Sequence, residues 1–313
     1  MNFYSRWVNT KKPDYDFIRL RMIAFVVTGL LVVGSIASMA IKGFNFGIDF
    51  AGGLLIEAHA IEGKADIGAM RGKLDHLGLG EVALQGFGTT GADVMVRVQK
   101  QAGDEKAQMA ALGRVKDALG TGFEYRRVEI VGPKVGEELK RDGALAVALA
   151  VLAIAAYVWF RFEWQFGVGA LIAIFHDVIT TFGLFSITGL EFNLTTVAAI
   201  LTIAGYSIND TVVEYDRVRE NLRKYKTMKL YDLLNLSVNE TLARTILTVA
   251  TVFLTVMALL VFGGEVLRGF AIAMLWGLVI GTYSSIYVAM PVLIYFNLRS
   301  GKFAEDVAEE AAP

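Results

Sequence analysis

Long apolar runs alternate along this chain with one stretch of mixed character, and that alternation predicts its elements. Mostly apolar residues fill 22–41, 143–160, 165–188, 194–213, 245–262 and 269–296. A helix needs roughly 20 such residues to cross the hydrocarbon core of a bilayer, so six transmembrane helices are predicted. Between the first two runs the period changes. An apolar run of strand length at 54–60 is followed by helical spacing from Asp66 to Leu79, carried by Ile67, Met70, Leu74 and Leu77. Val82–Phe87 and 93–98 alternate with period two around the turn-rich Gly88-Thr89-Thr90-Gly91. Met109, Leu112, Val115 and Leu119 mark a second helix over Glu105–Leu119, and 125–131 alternates once more. The order β-α-β-β-α-β predicts a small α+β domain of the ferredoxin-like, split-βαβ kind. The expected fold class is a multi-pass α-helical membrane protein carrying that domain.

Composition strengthens the membrane reading. Hydrophobic residues make up 55% of the 313, charged residues only 19%, and mean hydropathy is +0.50. A net charge of −1 argues against a nucleic-acid partner. Without cysteines there is no disulfide framework or thiolate metal site, and His59, His76 and His176 are too scattered for a zinc site. No cofactor is expected.

The placement of basic residues sets an expected orientation. Arg6, Lys11, Lys12, Arg19 and Arg21 precede the first run, Arg161 lies between the second and third, and Arg217, Arg219, Arg223, Lys224, Lys226 and Lys229 lie between the fourth and fifth. Arg299 and Lys302 follow the sixth, whereas the opposite short connections, 189–193 and 263–268, hold only Arg268. By the positive-inside rule both termini are cytoplasmic and 42–141 is periplasmic. The expected division is a cytoplasmic N-terminus 1–21, a first span 22–41, a periplasmic domain 42–141, spans two to six within 142–298 with a cytoplasmic loop 214–244, and a cytoplasmic tail 299–313. The tail from 303 is acidic, alanine-rich and expected to be disordered. Ser38-Met39-Ala40 looks like a cleavage site, but about twenty residues precede a run long enough to span, so an uncleaved anchor is expected.

Three local patterns carry candidate chemistry. Gly47-Ile48-Asp49-Phe50-Ala51-Gly52-Gly53 lies where the chain leaves the first helix, and its glycines imply turns or close packing, with Asp49 capping or positioning the junction. Val131-Gly132-Pro133 leads into the second helix, where proline suits the first turn. The third pattern runs from Gly205-Tyr206-Ser207-Ile208-Asn209-Asp210-Thr211-Val212-Val213-Glu214-Tyr215 through Asp216-Arg217-Val218-Arg219-Glu220-Asn221, with Asn239-Glu240-Thr241-Leu242-Ala243-Arg244-Thr245 after it, and the mixed-charge stretch 216–229 is expected to continue the fourth helix. Asp210 lies about 25 Å down the fourth helix, at a depth similar to Arg244 on the fifth. A carboxylate and a guanidinium meeting there would form either a proton-linked switch or a static pair. Ser207 and Asn209 are expected to satisfy Asp210 or to bridge helices. His176 and Asp177 sit midway along the third helix, where ionisable groups are functional by default. Thr180 and Thr181 are the candidate partners of His176, in a proton path or as a structural answer. Gly277 and Gly281, followed by Ser284 and Ser285, permit close helix packing.

Taken in order, Gly-Ile-Asp-Phe-x-Gly-Gly, Val-Gly-Pro, Ser-Ile-Asn-Asp-Thr-Val-Val and Asp-Arg-x-Arg-Glu-Asn resemble the SecF family of protein-export membrane subunits, within the wider RND superfamily. The resemblance implies coupling to the proton-motive force, with the proton-linked Asp and Arg at Asp210 and Arg244. It also implies a SecD-like membrane subunit, the Sec translocon channel, a translocating preprotein and membrane lipids as partners, in the cytoplasmic (inner) membrane. The expected role is non-enzymatic. One helix, one outer domain and five further helices look like half of a transporter whose other half is a separate chain or another copy. Three alternatives remain. A small-molecule or lipid exporter half would want a larger outer domain, and a structural assembly factor is separable only by activity. An intramembrane hydrolase built on Asp177 and Asp210 is disfavoured by an expected depth difference of roughly 10 Å.

Overall fold

The computed structural model describes residues 15–88, 90–103, 105–296 and 298. Arg6, Lys11, Lys12, Thr89, Arg299, Lys302 and the acidic tail lie outside the described residues. The chain enters through a 3-10 turn, Ile18–Leu20, into helix α1 (Arg21–Lys42). It then forms a short strand β1 (Asn45–Phe46) and a single turn α2 (Ile48–Ala51). The outer domain follows as β2 (Gly53–Ala60), α3 (Ile67–Asp75), β3 (Val82–Phe87), β4 (Asp93–Gln99), α4 (Glu105–Leu119) and β5 (Phe123–Val131). The remaining helices are α5 (Pro133–Arg161), α6 (Trp164–Thr188), α7 (Leu194–Lys224), α8 (Leu230–Phe262) and α9 (Gly264–Ser284), with a two-residue strand β6 (Glu191–Phe192) ahead of α7. After α9 the chain widens into a π-helical turn, Ser285–Ala289, and ends in a 3-10 turn, Leu293–Tyr295.

Among the described residues, six helical stretches are long and apolar enough to cross a membrane. The protein is a multi-pass membrane protein. Met22, Ile23, Val26, Leu30 and Val33 of α1 and Leu247, Leu254 and Val261 of α8 are exposed, as expected of helix faces that meet lipid. The centre of the bundle is α6, α7 and α9, where Phe166, Ile174, Ile200, Ile203, Ala271 and Leu278 are buried. Close approach there depends on missing side chains. A Cβ on Gly277 would overlap Ile203, one on Gly281 would lie 3.2 Å from Ser207, and one on Gly183 would overlap Ser35 of α1.

The outer sheet has the order β3-β4-β2-β5 with every neighbouring pair antiparallel, an arrangement compatible with the ferredoxin-like expectation. Period-two alternation sends Leu54, Ile56, Val94, Val96 and Val98 to one face, where Met70 and Leu74 of α3 and Val115 and Leu119 of α4 cover them. Asp66 caps α3 by accepting from the Ala69 amide at 3.0 Å.

Two boundaries differ from the sequence expectation. Helix α5 begins at Pro133, ten residues before the apolar run, because its first turns pack on the elbow at α2 rather than on lipid. The cytoplasmic connection 214–244, of which only 216–229 is expected to continue the fourth helix, is helical except for 225–229. Hydropathy falls there because α7 and α8 leave the apolar zone together, yet Tyr215, Val218 and Leu222 remain buried in the same core as Leu233 and Val238, with Tyr215 against Phe162 and Phe166.

Candidate functional site

At the outer junction the glycine motif makes an elbow. Gly47 donates to the Phe192 carbonyl at 2.9 Å as β1 pairs in parallel with β6, and a Cβ on Gly47 would press on the Glu191 side chain. Asp49 accepts from the Leu194 amide at 2.9 Å, so the residue at the first junction anchors the start of α7. Gly52 and Gly53 take φ values of +72° and +129°, which favour glycine, and Gly132 is the residue just before α5. Across the junction Arg97 of β4 pairs with Glu191. Burial pushes the Glu191 carboxyl above its ordinary range, with Arg97 opposing. A cleft of about 730 Å³ lies beside this pair, between the open face of the sheet and the tops of the helices.

The ionisable seam lies deeper, between α6, α7 and α9. Asp177 is fully buried and accepts from Ser207 Oγ of α7 at 2.5 Å and from Ser284 Oγ of α9 at 2.8 Å. Its other oxygen lies 2.9 Å from His176 Nδ1. One carboxylate therefore ties three helices together. Thr180 and Thr181, expected to partner His176, instead donate to the Asp177 backbone carbonyl at 3.2 and 2.7 Å. The correction follows from helix geometry, since a hydroxyl three or four residues on reaches back to the carbonyl of the preceding turn. Ser207 bridges helices rather than serving Asp210. One turn further, Thr211 meets Ser285 of the π turn at 2.8 Å, and Tyr215 donates to the Ala289 carbonyl at 3.2 Å. A π turn frees carbonyls from the regular ladder and recurs at functional sites.

Asp210 and Glu214 contrast with Asp177. They are 4% and 1% exposed, and Asp210 Oδ2 and Glu214 Oε2 have no hydrogen-bond partner among the described residues. Asp210 and Arg244 form no ion pair among the described residues, and Arg244 is exposed on α8. Asn209 is also exposed, on a face of α7 shared with Ala198, Thr202 and Gly205.

The Asp177–Ser207 bond also corrects the expected depth difference. It fixes the register of α6 against α7, so Asp210 lies only about 4.5 Å beyond the level of Asp177. The two carboxyl groups still share no hydrogen bond, because Asp177 is occupied by serine and histidine.

Much of the rest of the long motif braces the bundle. Arg217 donates to Glu240 at 2.7 Å, and Asn221 donates to Glu240 and to Ser237, both at 3.0 Å. Asn239 accepts from the Tyr15 amide at 2.9 Å and donates to the Tyr15 carbonyl at 2.8 Å, holding the entering chain against α8. Sequence reasoning gave no role to Glu214, although it stands in the long motif four residues after Asp210.

Fold and site together define a multi-pass helical membrane protein with one outer α+β domain and a buried ionisable seam among its central helices. The model for Protein export membrane protein SecD/SecF, C-terminal, matches residues 112–299, and that for the SecD/SecF GG motif matches residues 37–60. Protein translocase subunit SecF of Rickettsia rickettsii is 46% identical over 99% of this chain and 100% of its own. That of Cereibacter sphaeroides is 44% identical over 93% and 92%. The crystal structure of SecDF, a translocon-associated membrane protein from Thermus thermophilus, superposes with a TM-score of 0.80 at 36% identity over 91% of this chain. A second SecDF structure, in a super-membrane-facing form, gives 0.68 at 36% identity over 96%. This chain spans 39% and 40% of those SecDF chains. The chain belongs to the SecD/SecF family of protein export membrane proteins.

Proposed function

We propose that this chain is the SecF-type half of a Sec-associated machine, non-enzymatic, that uses the proton-motive force to assist protein translocation across the cytoplasmic membrane. The observation that carries the coupling is Asp210, a carboxyl group buried in the central helix with an unpartnered oxygen. An ionised carboxylate buried without a counter-charge costs several kcal/mol. Arg244 is within electrostatic reach of Asp210 without a direct ion pair, so its approach or withdrawal changes whether Asp210 holds charge, and a rearrangement of α7 against α8 becomes linked to loading and release of a proton. One charge crossing 100 mV supplies about 2.3 kcal/mol for that rearrangement. Both termini face the cytoplasm by the positive-inside distribution. The face of α7 bearing Ala198, Thr202, Gly205 and Asn209 is small and polar, which suits a SecD-like helix repeat better than lipid. The translocon channel, the preprotein and membrane lipids complete the expected surroundings.

The test is co-reconstitution with a SecD-like partner in proteoliposomes. Asp210→Asn keeps the shape of the side chain and removes its proton site, so it assembles but loses gradient-dependent proton flux and translocation stimulation. Arg244→Lys keeps charge but loses the planar fork, and impairs both. Wild-type flux through Asp210→Asn contradicts this reading.

A further inference from the structure

Glu214 has no part in the mechanism so far, and its surroundings do not explain it as a structural residue. Its side chain is 1% exposed and Oε2 lacks a hydrogen-bond partner among the described residues. A buried polar group retained for stability is ordinarily hydrogen-bonded, because leaving it unpaired is destabilising. An apolar side chain of the same volume would fill this site without that cost.

Its position is informative. Glu214 follows Asp210 by four residues on the same buried face of α7, so their side chains are neighbours one turn apart. In the other direction Asp216 is exposed, and Arg217, three residues on, is 30% exposed and paired with Glu220, which is 60% exposed. Glu214 thus stands one turn from the coupling carboxyl and one turn from groups that reach solvent. The Asn221–Ser237 bond fixes α8 alongside α7, and the buried stripe Ser237, Thr241 and Thr245 runs along that side. Glu240 on α8 is already held by Arg217 and Asn221. From the π turn Ser285 faces Thr211, and the Ala289 carbonyl is taken by Tyr215. Asp210 is the titratable carboxyl one turn away on the same face of α7, and none of these bonds occupies Glu214 Oε2.

We propose that Glu214 is a proton relay between Asp210 and the cytoplasmic surface. The proposal rests on the coupling role of Asp210. Glu214 first releases its own proton to the cytoplasmic side. The O–H bond of the Asp210 carboxylic acid then breaks, and its proton reaches the Glu214 carboxylate through a bridging water. One proton moves inward per cycle, and nothing is oxidised or reduced.

The experiment compares Glu214→Gln, Glu214→Asp and Asp210→Asn, each co-reconstituted with the SecD-like partner in proteoliposomes, reading proton flux after an imposed pH gradient. Glu214→Gln lowers flux at least about tenfold, and Glu214→Asp, which keeps the acid but shortens its reach, retains more flux with a shifted pH profile. Infrared difference spectra across the pH range show a carboxylic acid C=O band in the wild type that Glu214→Gln lacks. Wild-type flux and pH profile in Glu214→Gln, alongside a dead Asp210→Asn, overturn the relay while leaving the coupling role intact. Full flux in Asp210→Asn overturns the coupling role itself. Should Glu214→Gln fail to assemble, Glu214→Asp carries the test, and wild-type flux with an unshifted profile in that variant overturns the relay.

Discussion

Asp93, half-buried in the outer sheet, and Asp210, buried in α7, are treated by the molecule in opposite ways. Asp93 lies 2.7 Å from His59 Nδ1, accepts from Arg126 at 3.0 Å and accepts from Thr90 at 3.3 Å. Nearby Arg127 is shared between Glu129 and Glu57. These charges of the outer domain meet partners near the surface, where rotation and solvent let the geometry adjust. Asp210 and Glu214 lie where no solvent compensates, yet each keeps an oxygen unpartnered. Between these extremes stands Asp177, as deeply buried and fully engaged. Asp177 is held by three partners, whereas Asp210 and Glu214 on α7 each keep an unpartnered oxygen, the contrast on which the proposed proton coupling rests. In the membrane bundle a fixed node at Asp177 sits about one turn from the unpartnered oxygen of Asp210 and about two turns from that of Glu214.

The sharpest way to break this contrast is to empty the fixed node. Asp177→Ala leaves Ser207, Ser284 and His176 without their common partner, and costs about 3 kcal/mol or more. Thermal unfolding in detergent should show the loss, while hydrogen exchange in the outer sheet stays unchanged. A smaller effect comes from closing the helix contacts around the node. Gly183→Val pushes into Ser35 and displaces α1, at a cost of about 1–3 kcal/mol. Cysteine crosslinking between α1 and α6 would report the displacement as lost yield.

The smallest effect belongs to the outer domain. The Asp93 carboxyl is held below its usual 3.8, chiefly by the His59 hydrogen bond, with Arg126 and Thr90 adding and burial opposing. A lowered folded value means that the stabilisation is complete above the unfolded value and fades as pH falls through the folded one. The loss is therefore confined to acid below about pH 4. Asp93→Asn costs the domain about 1–2 kcal/mol at neutral pH and progressively less in that acid window. Hydrogen exchange of β2 and β4 at two pH values would measure both the cost and its disappearance.

Much of this was legible without coordinates. Apolar run length determined six helices, because a bilayer of fixed thickness leaves little choice. Period-two alternation determined the strands of the outer domain, since one face of its sheet is covered by α3 and α4. The long motif on α7 singled out Asp210 as a candidate by residue type and depth, and the family resemblance supplied its proton-linked reading. The sequence could not tell which polar groups would meet. Ser207 was open to serving Asp210 or bridging helices, and the rotation of α7 against α6 directs it to Asp177. Thr180 and Thr181 were assigned to His176, and the backbone of their own helix claimed them first. Glu214 looked like part of a polar loop because hydropathy averages over a window, whereas burial is decided residue by residue by the face a helix turns inward. Composition and period thus determined the elements and their membrane setting. Tertiary packing alone decided that one carboxylate of the seam is satisfied and the next two are not, because hydrogen-bond partners across helices depend on rotation and register that no local pattern encodes.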